Sequence, residues 1–490
     1  MQWIAVHCED FEDDGNTFES ESVRQAFAKS LLIAGDIWGK RVYTGKLDEA
    51  CDDVNLLRRK SLGATRAGVE AAISGLDPMI AISRGRAMFR DIMPEFRKAF
   101  DAQFESIIGV DLEAFFGLLS VIAICCMVRS PTEGGPAKTT AGIFRRGELE
   151  GLSAGLRSIF DKVSKHVGQS PEELTSSIKR VLVDGGCPGS MRGLSVIRQR
   201  PFMCTPDGRC IVLDPHFFAQ LASIGPLFAL FRQYPPEECF EQFGHTFERY
   251  ASMMLRRMYP KPPEPLFDRL RAPLDGTSLD GNAVQLADAA LCDVSGSVLI
   301  EMKASWLRDD LADSTDFSEY LSGVRERYAR GSIEGQPKGV GQLAQAITKL
   351  ADEQWMPNES NLLASPTIYP VLLCYDEVLG SVTHPWFLAE EFRRLLEPDG
   401  KAIDGSMTKG KFRVANLIVL TIEMLECLEV SIESFSLIDL LHDYSLECAD
   451  RVEALRTYVW RSKYGQMLFA NRSLAQQGLA TLRHVRKLTE

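Results

Sequence analysis

The residues best suited to chemistry end a short run of strand-forming residues, VLIEMK, at positions 298–303. Side chains alternate between the two faces of a strand, so Glu301 and Lys303 share one face while Ile300 and Met302 share the other. A carboxylate and an ammonium group placed in this way form either a solvated ion pair or part of a reactive site. The strands and helices predicted around Glu301 and Lys303 help to choose between these two interpretations.

A second carboxylate, Asp288, lies in the preceding stretch AVQLADAALCDVSGS. This stretch and the next predict two strands, at 283–292 and 297–304, joined by the tight turn DVSG. Twelve residues separate Asp288 from Glu301, which is enough for the strands to fold back on each other. The hairpin therefore predicts that Asp288 lies near Glu301 and Lys303.

Two carboxylates held together in a half-buried strand pair repel each other and lose hydration, which is unfavourable unless a cation lies between them. Mg²⁺ meets this need, because it prefers oxygen ligands and binds through one or two carboxylates together with substrate phosphate oxygens. Mn²⁺ is the alternative ion. Lys303 would orient or help to deprotonate a water and stabilise charge on a phosphate. Asp288, Glu301 and Lys303 thus predict a site for phosphodiester hydrolysis.

The run formed by Asp288, twelve residues, and Glu301-Met302-Lys303 resembles the PD-(D/E)XK nuclease superfamily. In that superfamily a helix, a strand hairpin and a following helix carry the catalytic residues. The resemblance implies an α/β domain with a restriction-endonuclease-like mixed sheet flanked by helices. It covers roughly 239–425, and TIYPVLLCYDEV and VANLIVLTIEML predict two further buried strands for such a sheet.

The resemblance also extends to the helices on either side of the hairpin. In FGHTFERY, Glu248 matches a metal-binding glutamate of the preceding helix, beside Asp288 and Glu301. In KGVGQLAQAI, Gln342 matches a glutamine that follows the strand in branches related to RecB and lambda exonuclease. The resemblance therefore implies five catalytic residues, namely Glu248, Asp288, Glu301, Lys303 and Gln342, of which the three carboxylates would bind the metal.

The chain departs from the family pattern at two positions. Ala287 precedes Asp288 where the motif has proline, and Ala346 stands four residues after Gln342 where the RecB-like branch has tyrosine. Gln345 competes with Gln342 for its role. His245, three residues before Glu248, reaches towards the site or serves as a hydrogen-bonded structural histidine.

Basic and aromatic residues surround the candidate site in sequence. Arg256, Arg257 and Lys338 are candidates for contacts to nucleic-acid phosphates. Nearby aromatic residues could stack on bases, and the arginines of VRERYAR could bind phosphates, but solvated helix faces explain the same residues equally well. The aromatic candidates are Tyr259, Tyr328 and Trp306. The charge-rich segment 306–336 predicts a mobile flap beside the site.

Helical spacing of apolar residues predicts a mainly helical N-terminal region over 1–235, with a hairpin near 200–214 around the turn PDG. The nuclease-like domain would cover 236–430, and a helical tail 431–490. The apolar run Ala114 to Val128 is too short to span a bilayer and predicts a buried core helix.

The chain has 490 residues, a net charge of −12 and a pI near 5.3, so any polyanion site must be a local patch. Its 12 cysteines include no CxxC pair, which favours reduced thiols in a cytoplasmic protein over a zinc site. Acidic residues near the start argue against an export signal, and no membrane association is expected.

The resemblance implies a Mg²⁺-dependent deoxyribonuclease, with DNA favoured because the superfamily acts mostly on DNA. The acidic charge and the helical region suggest a controlled subunit of a bacterial restriction, repair or antiphage defence system, which acts with a protein partner or as a homo-oligomer. One alternative is a non-catalytic adaptor that keeps a nuclease-like fold and binds nucleic acid or a partner protein. Another is an all-helical scaffold in which LIEMK is only a surface strand.

Overall fold

The structure is a computed structural model and divides into two compact units. The first contains the chain up to Pro236 together with Arg308–Thr315 and Ser473–Glu490, and the second contains Glu237–Leu307 and Asp316–Arg472. The predicted boundary at 430 falls inside the second unit. The described residues are 78–127, 143–145, 149, 151, 154–183, 191–206, 208–261, 269–293, 296–307, 311, 317–330, 337–358, 367–381, 383–396, 406–448, 453–468, 471, 474, 476 and 477.

The first unit is mainly helical in its described part, as the sequence predicts. Its helices are α1 (Pro78–Arg86), α2 (Met93–Phe96), α3 (Phe100–Ile108), α4 (Leu112–Met127), α5 (Ala154–Val167), α6 (Pro171–Val183), α7 (Met191–Gln199) and α8 (Pro215–Leu230). A π-helical turn, Ala87–Ile92, joins α1 to α2. Helix α1 packs closely on α8, since a Cβ atom at Gly85 would lie 2.1 Å from the Ala222 carbonyl oxygen.

A small sheet accompanies these helices, with the strand order β1-β4-β3-β2. Its strands are β1 (Ile143–Arg145), β2 (Gly168–Gln169), β3 (Phe202–Cys204) and β4 (Arg209–Val212). Strands β3 and β4 form an antiparallel hairpin in which Phe202 pairs with Val212 and Cys204 with Cys210. The turn between them uses Gly208 with φ of +83°, a conformation that glycine adopts without a steric penalty. Cys204 and Cys210 are thiols, and Cys210 Sγ donates to Cys204 Sγ at 3.2 Å.

Helix α4 contains the apolar run noted in the sequence, and its described side chains are almost all buried. Phe115, Phe116, Leu118 and Leu119 are each at most 2% exposed, so the helix forms part of the core. In the described ranges, no single helix has the length and apolar composition needed to cross a membrane. One pair bent by 60°, Phe100–Ile108 with Leu112–Ile124, meets the length and composition test jointly.

The second unit is α/β, and its main sheet is mixed, as the sequence predicts. The sheet runs β12-β13-β11-β9-β8-β5, and β14 pairs with the end of β11. Strand β9 lies in the middle, parallel to β11 and antiparallel to β8. The strands are β5 (Leu270–Arg271), β8 (Ala289–Cys292), β9 (Ser297–Lys303), β11 (Thr367–Cys374), β12 (Ser406–Lys409), β13 (Phe412–Ala415) and β14 (Ile418–Thr421).

A separate three-stranded sheet has the order β10-β6-β7. It consists of β6 (Leu274–Ser278), β7 (Ala283–Ala287) and β10 (Trp355–Pro357). The expectation of one strand over 283–292 was therefore wrong, because the chain leaves one sheet after Ala287 and enters the other at Ala289. Asp288 is the single residue at this change of sheet.

Helices surround the main sheet and supply the rest of the second unit. They are α9 (Pro236–Met258), α10 (Phe317–Tyr328), α11 (Val340–Ala351), α12 (Thr383–Leu396), α13 (Ile422–Glu429), α14 (Leu437–Glu447) and α15 (Leu455–Arg461). Helix α9 is tied to α13 by a buried hydrogen bond from the Tyr250 hydroxyl to Glu426 Oε1 of 2.8 Å. Helix α11 packs on β9 and on β7, the strand that ends just before Asp288.

Candidate active site

Asp288 is held in place by two hydrogen bonds at the junction of the two sheets. Its Oδ2 accepts the Met302 backbone N–H at 2.7 Å, and its Oδ1 accepts Nε2 of Gln285 at 2.8 Å. If β8 continued, a backbone carbonyl of that strand would accept the Met302 N–H; here the Asp288 carboxylate accepts it instead. The change of sheet thus turns a strand residue into a carboxylate fixed against the edge of β9.

Asp288 lies near Glu301 and Lys303, since its charge acts on both of these groups. It directly precedes Ala289, which pairs with Ile300 of β9 at the last step of the β8–β9 ladder. Glu301 and Lys303 share one face of β9, because they are two residues apart. The predicted convergence of Asp288, Glu301 and Lys303 is therefore present in the structure.

Glu301 and Lys303 form a largely buried ion pair. Lys303 Nζ donates to Glu301 Oε1 at 2.8 Å, and the side chains are 5% and 21% exposed for Glu301 and Lys303 respectively. Strand β11 covers the other edge of β9, with Leu372 beside Glu301 and Cys374 beside Lys303. A surface strand would leave such a pair in water, so this arrangement argues against the scaffold interpretation.

An aromatic cluster brings helix α9 and Glu248 to the same end of β9. Phe243 lies 5.1 Å from both the Trp306 and the Tyr375 ring centroids, and Phe247 lies 5.7 Å from Tyr375. Trp306 follows β9 and Tyr375 follows β11. Glu248, the next residue after Phe247, interacts electrostatically with Asp288 and Lys303.

The three carboxyl groups are less acidic than carboxyl groups in water. Burial raises the pKa of Glu301 to about 7, with the nearby carboxylates of Asp288 and Glu248 adding to the effect and Lys303 opposing it. Burial likewise raises the pKa of Asp288, although Lys303 and the Met302 N–H favour its charged form. Burial and the charge of Asp288 raise the pKa of Glu248. The site therefore holds negative charge at a cost, and a further cation would relieve that cost.

The same carboxylates stabilise the charged form of Lys303. Burial disfavours its charged form, but the carboxylates of Glu301, Asp288 and Glu248 outweigh this effect, so its pKa lies above the usual value. Lys303 is consequently an ammonium group at neutral pH. In this state it acts as a fixed positive charge and hydrogen-bond donor, and it does not act as a base.

Gln342 lies at the start of α11, where its Oε1 accepts the Gly339 N–H at 2.7 Å. This bond satisfies a backbone donor next to the first turn, so Gln342 has a structural role in the helix start. The glycines of KGVGQ have a packing role: a Cβ atom at Gly341 would lie 2.2 Å from the Ala329 carbonyl oxygen, and Gly339 has φ of +47°. Gln345, the competing candidate, is exposed on the same helix.

His245 is exposed, and its Nδ1 lies 3.8 Å from Glu248 Oε2. The histidine is 54% exposed, and its side chain hydrogen-bonds the Glu248 carboxyl group. Its position beside Glu248 favours the charged form of that carboxyl. His245 therefore belongs to the outer edge of the site.

The candidate metal ligands of the site are carboxylate oxygens. Among the described residues, no group of three or more His, Cys, Asp or Glu side chains is arranged to hold a metal ion. The donor chemistry nevertheless fits Mg²⁺, which commonly uses only one or two carboxylates and keeps several waters. Asp288 and Glu301 supply such a pair, and a carboxylate offers about four lone-pair sites, so each retains acceptor capacity beside its existing hydrogen bonds.

The residues proposed to contact nucleic acid lie in different environments. Arg256 Nη2 donates to the Leu270 carbonyl oxygen at 3.0 Å, and Arg257 Nη1 lies 3.4 Å from Glu429 Oε1. Both arginines thus join α9 to other parts of the second unit. Lys338 is exposed just before α11.

The aromatic residues considered for base stacking are engaged in packing. The Tyr328 hydroxyl donates to the Ser305 carbonyl oxygen at 2.9 Å in a fully buried position. Trp306 stacks in the aromatic cluster of α9, and the Tyr259 hydroxyl accepts the Leu437 N–H at 3.3 Å. These packing contacts account for the aromatic side chains near the site, with no need for a role in base stacking.

The segment expected to form a flap contains helix α10 in its described part. Tyr320, Val324 and Tyr328 are at most 1% exposed, and Arg325 forms hydrogen bonds of 2.8 and 2.7 Å to Glu391 of α12. This part is therefore packed core. The expectation of a mobile flap was wrong for 317–330, because the charged residues of this helix alternate with three buried side chains at helical spacing. Residues 308–310, 312–316 and 331–336 lie outside the described part of the chain.

The sequence did not single out Gln285, which orients Asp288. In a continuous strand, residues three apart point to opposite faces, so the spacing of Gln285 and Asp288 gave no signal. Their contact arises because the strand ends at Ala287.

Comparisons of the chain with protein-family models, with curated proteins and with solved structures found no match. The case for function therefore rests on the geometry and electrostatics of this site.

Proposed function

We propose that the second unit is a metal-dependent nuclease of PD-(D/E)XK type that hydrolyses phosphodiester bonds in DNA. The observation that supports this proposal is the convergence of Asp288, Glu301 and Lys303 at the start and end of paired strands of a mixed sheet, where Glu301 is buried and Asp288 and Lys303 are half-buried. Removing three charged groups from much of their hydration is costly. The mixed α/β sheet supports the same class.

In the proposed mechanism Asp288 and Glu301 would hold Mg²⁺ or Mn²⁺, and Glu248 adds negative charge at the outer side. The metal would supply Lewis acidity towards a phosphate oxygen and a water made more acidic. Lys303, as a permanent ammonium group, attracts the phosphate and stabilises the charge that develops on it. Asp288 keeps its orientation through Gln285 and the Met302 N–H.

The proposed substrate is DNA, and Lys338 is the exposed basic residue that we assign to phosphate contact. An acidic chain with net charge −12 would not coat DNA unaided, which supports a requirement for a protein partner or a second copy of the chain. We place the activity in a bacterial restriction, repair or antiphage system on the strength of the family resemblance.

The decisive experiment is incubation of purified wild type and Lys303→Met with supercoiled, linear and single-stranded DNA in Mg²⁺, Mn²⁺ or EDTA. Methionine keeps the apolar stem of the lysine and removes its charge. Lys411→Met is the matched control, because Lys411 is 49% exposed in the same unit. We expect cleavage by wild type and Lys411→Met, and loss of cleavage in EDTA or with Lys303→Met.

A cleavage activity that persists in Lys303→Met and in EDTA would contradict the proposed site. The non-catalytic adaptor is favoured by one observation, the absence of a three-ligand group in the described part of the chain. Titration of Mn²⁺ into wild type and Asp288→Asn separates the two functions. Asp288-dependent metal binding without cleavage indicates a missing partner, whereas no metal binding supports the adaptor.

A further inference from the structure

The described part of the first unit encloses a cavity of about 530 Å³ that the proposed nuclease site does not use. Its interior is apolar and aromatic, with Phe104, Ile108, Phe115, Ile224 and Phe228 among the lining residues. Clefts that bind small molecules have volumes of about 300–1,000 Å³ and are lined mostly by such side chains. The size and lining therefore suit a small organic ligand with an apolar body.

Four basic side chains line the same cavity, namely His166, Arg198, Arg200 and Arg232. Arg232 Nη2 donates to the His166 carbonyl oxygen at 3.1 Å, and its Nη1 contacts His166 Nδ1. Arg200 and Arg232 are exposed, so their charges are accessible to solvent. The cavity thus combines an apolar lining with accessible positive charge.

The positive charge of the cavity comes from its arginines. Among the residues that the structure describes, no Asp or Glu lines the cavity. Arg200 lies 3.9 Å from Glu173, an ion pair in which both side chains are largely exposed and which contributes little. Burial and the nearby Arg200 lower the pKa of Arg232, and burial and Arg232 lower the pKa of His166. The cluster therefore carries mutual repulsion that a bound anion would relieve.

Arginine suits this role better than lysine, because its planar guanidinium group offers paired donors to a carboxylate or a phosphate. His166, whose lowered pKa keeps it neutral near pH 7, accepts from Arg232 and orients that guanidinium group. Ser195, Gln199 and Gln220 add neutral polar groups to the lining. An anion with an apolar or aromatic body would satisfy both parts of the cavity.

We infer that this cavity is a binding site for a small organic anion, whose carboxylate or phosphate group pairs with Arg200 and Arg232 while its apolar body fills the space between Phe104, Phe115 and Phe228. The site is independent of the nuclease proposal, since it lies in the other unit and uses none of the same residues.

The test uses the full-length protein and the fluorescent probe 1-anilinonaphthalene-8-sulfonate, which joins an aromatic body to an anionic group. Its affinity is measured for wild type, Arg232→Gln, Arg200→Gln and Arg157→Gln. Arg157 is the matched control, because it lies on the same helix as His166, is 47% exposed and does not line the cavity. N-phenyl-1-naphthylamine, which lacks the sulfonate, tests the contribution of charge.

We expect one saturable site in wild type and in Arg157→Gln. Each cavity variant should weaken probe binding by about tenfold or more, the usual effect of losing a hydrogen bond to a charged group. Binding of the neutral probe should be unchanged by the same substitutions. If Arg232→Gln lowers the melting temperature, its weaker probe binding could reflect unfolding. The affinity of Arg200→Gln is then the deciding measurement, because the Arg200 side chain is 44% exposed and its loss should not affect folding.

Displacement of the probe then identifies the anion. Displacement by decanoate alone assigns the site to apolar carboxylates, displacement by adenosine monophosphate alone assigns it to nucleotide phosphates, and displacement by both supports a general anion site. Equal affinity in all four proteins, or probe binding that neither compound displaces, would overturn the inference.

Discussion

Asp288 reaches across the break between two sheets and accepts the Met302 N–H through Oδ2 at 2.7 Å. This hydrogen bond gives the carboxylate two roles: it completes the bonding of β9, and it fixes an acidic group beside Glu301. The two roles respond differently to substitution, because an amide keeps an acceptor oxygen and a methyl group does not.

We therefore expect Asp288→Asn and Asp288→Ala both to lose metal-dependent cleavage, but with different stabilities. Asn retains an acceptor for the Met302 N–H, whereas Ala leaves that donor without this partner. The alanine variant should be less stable than the asparagine variant by about 1–3 kcal/mol. Denaturant unfolding of both variants, alongside DNA cleavage, checks this difference. Equal stabilities would show that the hydrogen bond contributes nothing to folding.

The pKa of Glu301 predicts how stability depends on pH in the absence of metal. The folded-state value is about 7 and the usual value is 4.5, so the folded protein binds this proton more tightly than the unfolded chain does. The stabilisation is fully present below pH 4.5 and is lost as the pH rises to 7. Asp288 and Glu248 shift in the same direction. The unfolding free energy should thus fall over this range by a few kcal/mol, at about 1.4 kcal/mol per unit of pKa shift.

The variant Glu301→Gln isolates this effect, because it removes the titrating group at nearly constant volume. The difference in unfolding free energy between wild type and Glu301→Gln should change steadily from pH 4.5 to 7 and stay level above pH 8. Saturating Mg²⁺ should stabilise wild type above pH 7 and leave Glu301→Gln less affected. A difference that is flat with pH would place the carboxyl group in a solvated setting.

Gln342 should contribute to the start of α11. Gln342→Ala is expected to lose about 1 kcal/mol of stability, because the Gly339 N–H loses its acceptor. Gln342→Glu keeps an acceptor oxygen and should retain most of that stability. Gln345→Ala, on the exposed face of the helix, is the control. A loss of cleavage in Gln342→Ala without any change in melting temperature would instead assign Gln342 to the substrate.

The aromatic cluster should control the position of Glu248. Phe243 is fully buried between Trp306 and Tyr375, so Phe243→Ala is expected to cost about 3–5 kcal/mol. Phe240→Ala, at a 36% exposed position of the same helix, should cost much less. Thermal and denaturant unfolding measure both. Similar losses for the two variants would mean that the cluster does not anchor α9.

The nature of the site residues could be read from the sequence, because strand periodicity and the chemistry of carboxylates act over short distances. Alternation alone put Glu301 and Lys303 on one face, and the tight turn after Cys292 placed Asp288 near them. The apolar run of α4 likewise predicted a buried helix. These conclusions depend only on neighbours along the chain.

Only the tertiary structure decided the split at Asp288, the partner of Gln342 and the packing of α10. The residues from Ala283 to Cys292 include no glycine or proline to mark a break, yet the first half of this stretch pairs with β6 and the second half with β9. The raised pKa of Glu301 could not be predicted from the sequence either, since it depends on burial by β11 and on charges from three separate elements. Local sequence determined which groups could react, and long-range packing determined the field in which they lie.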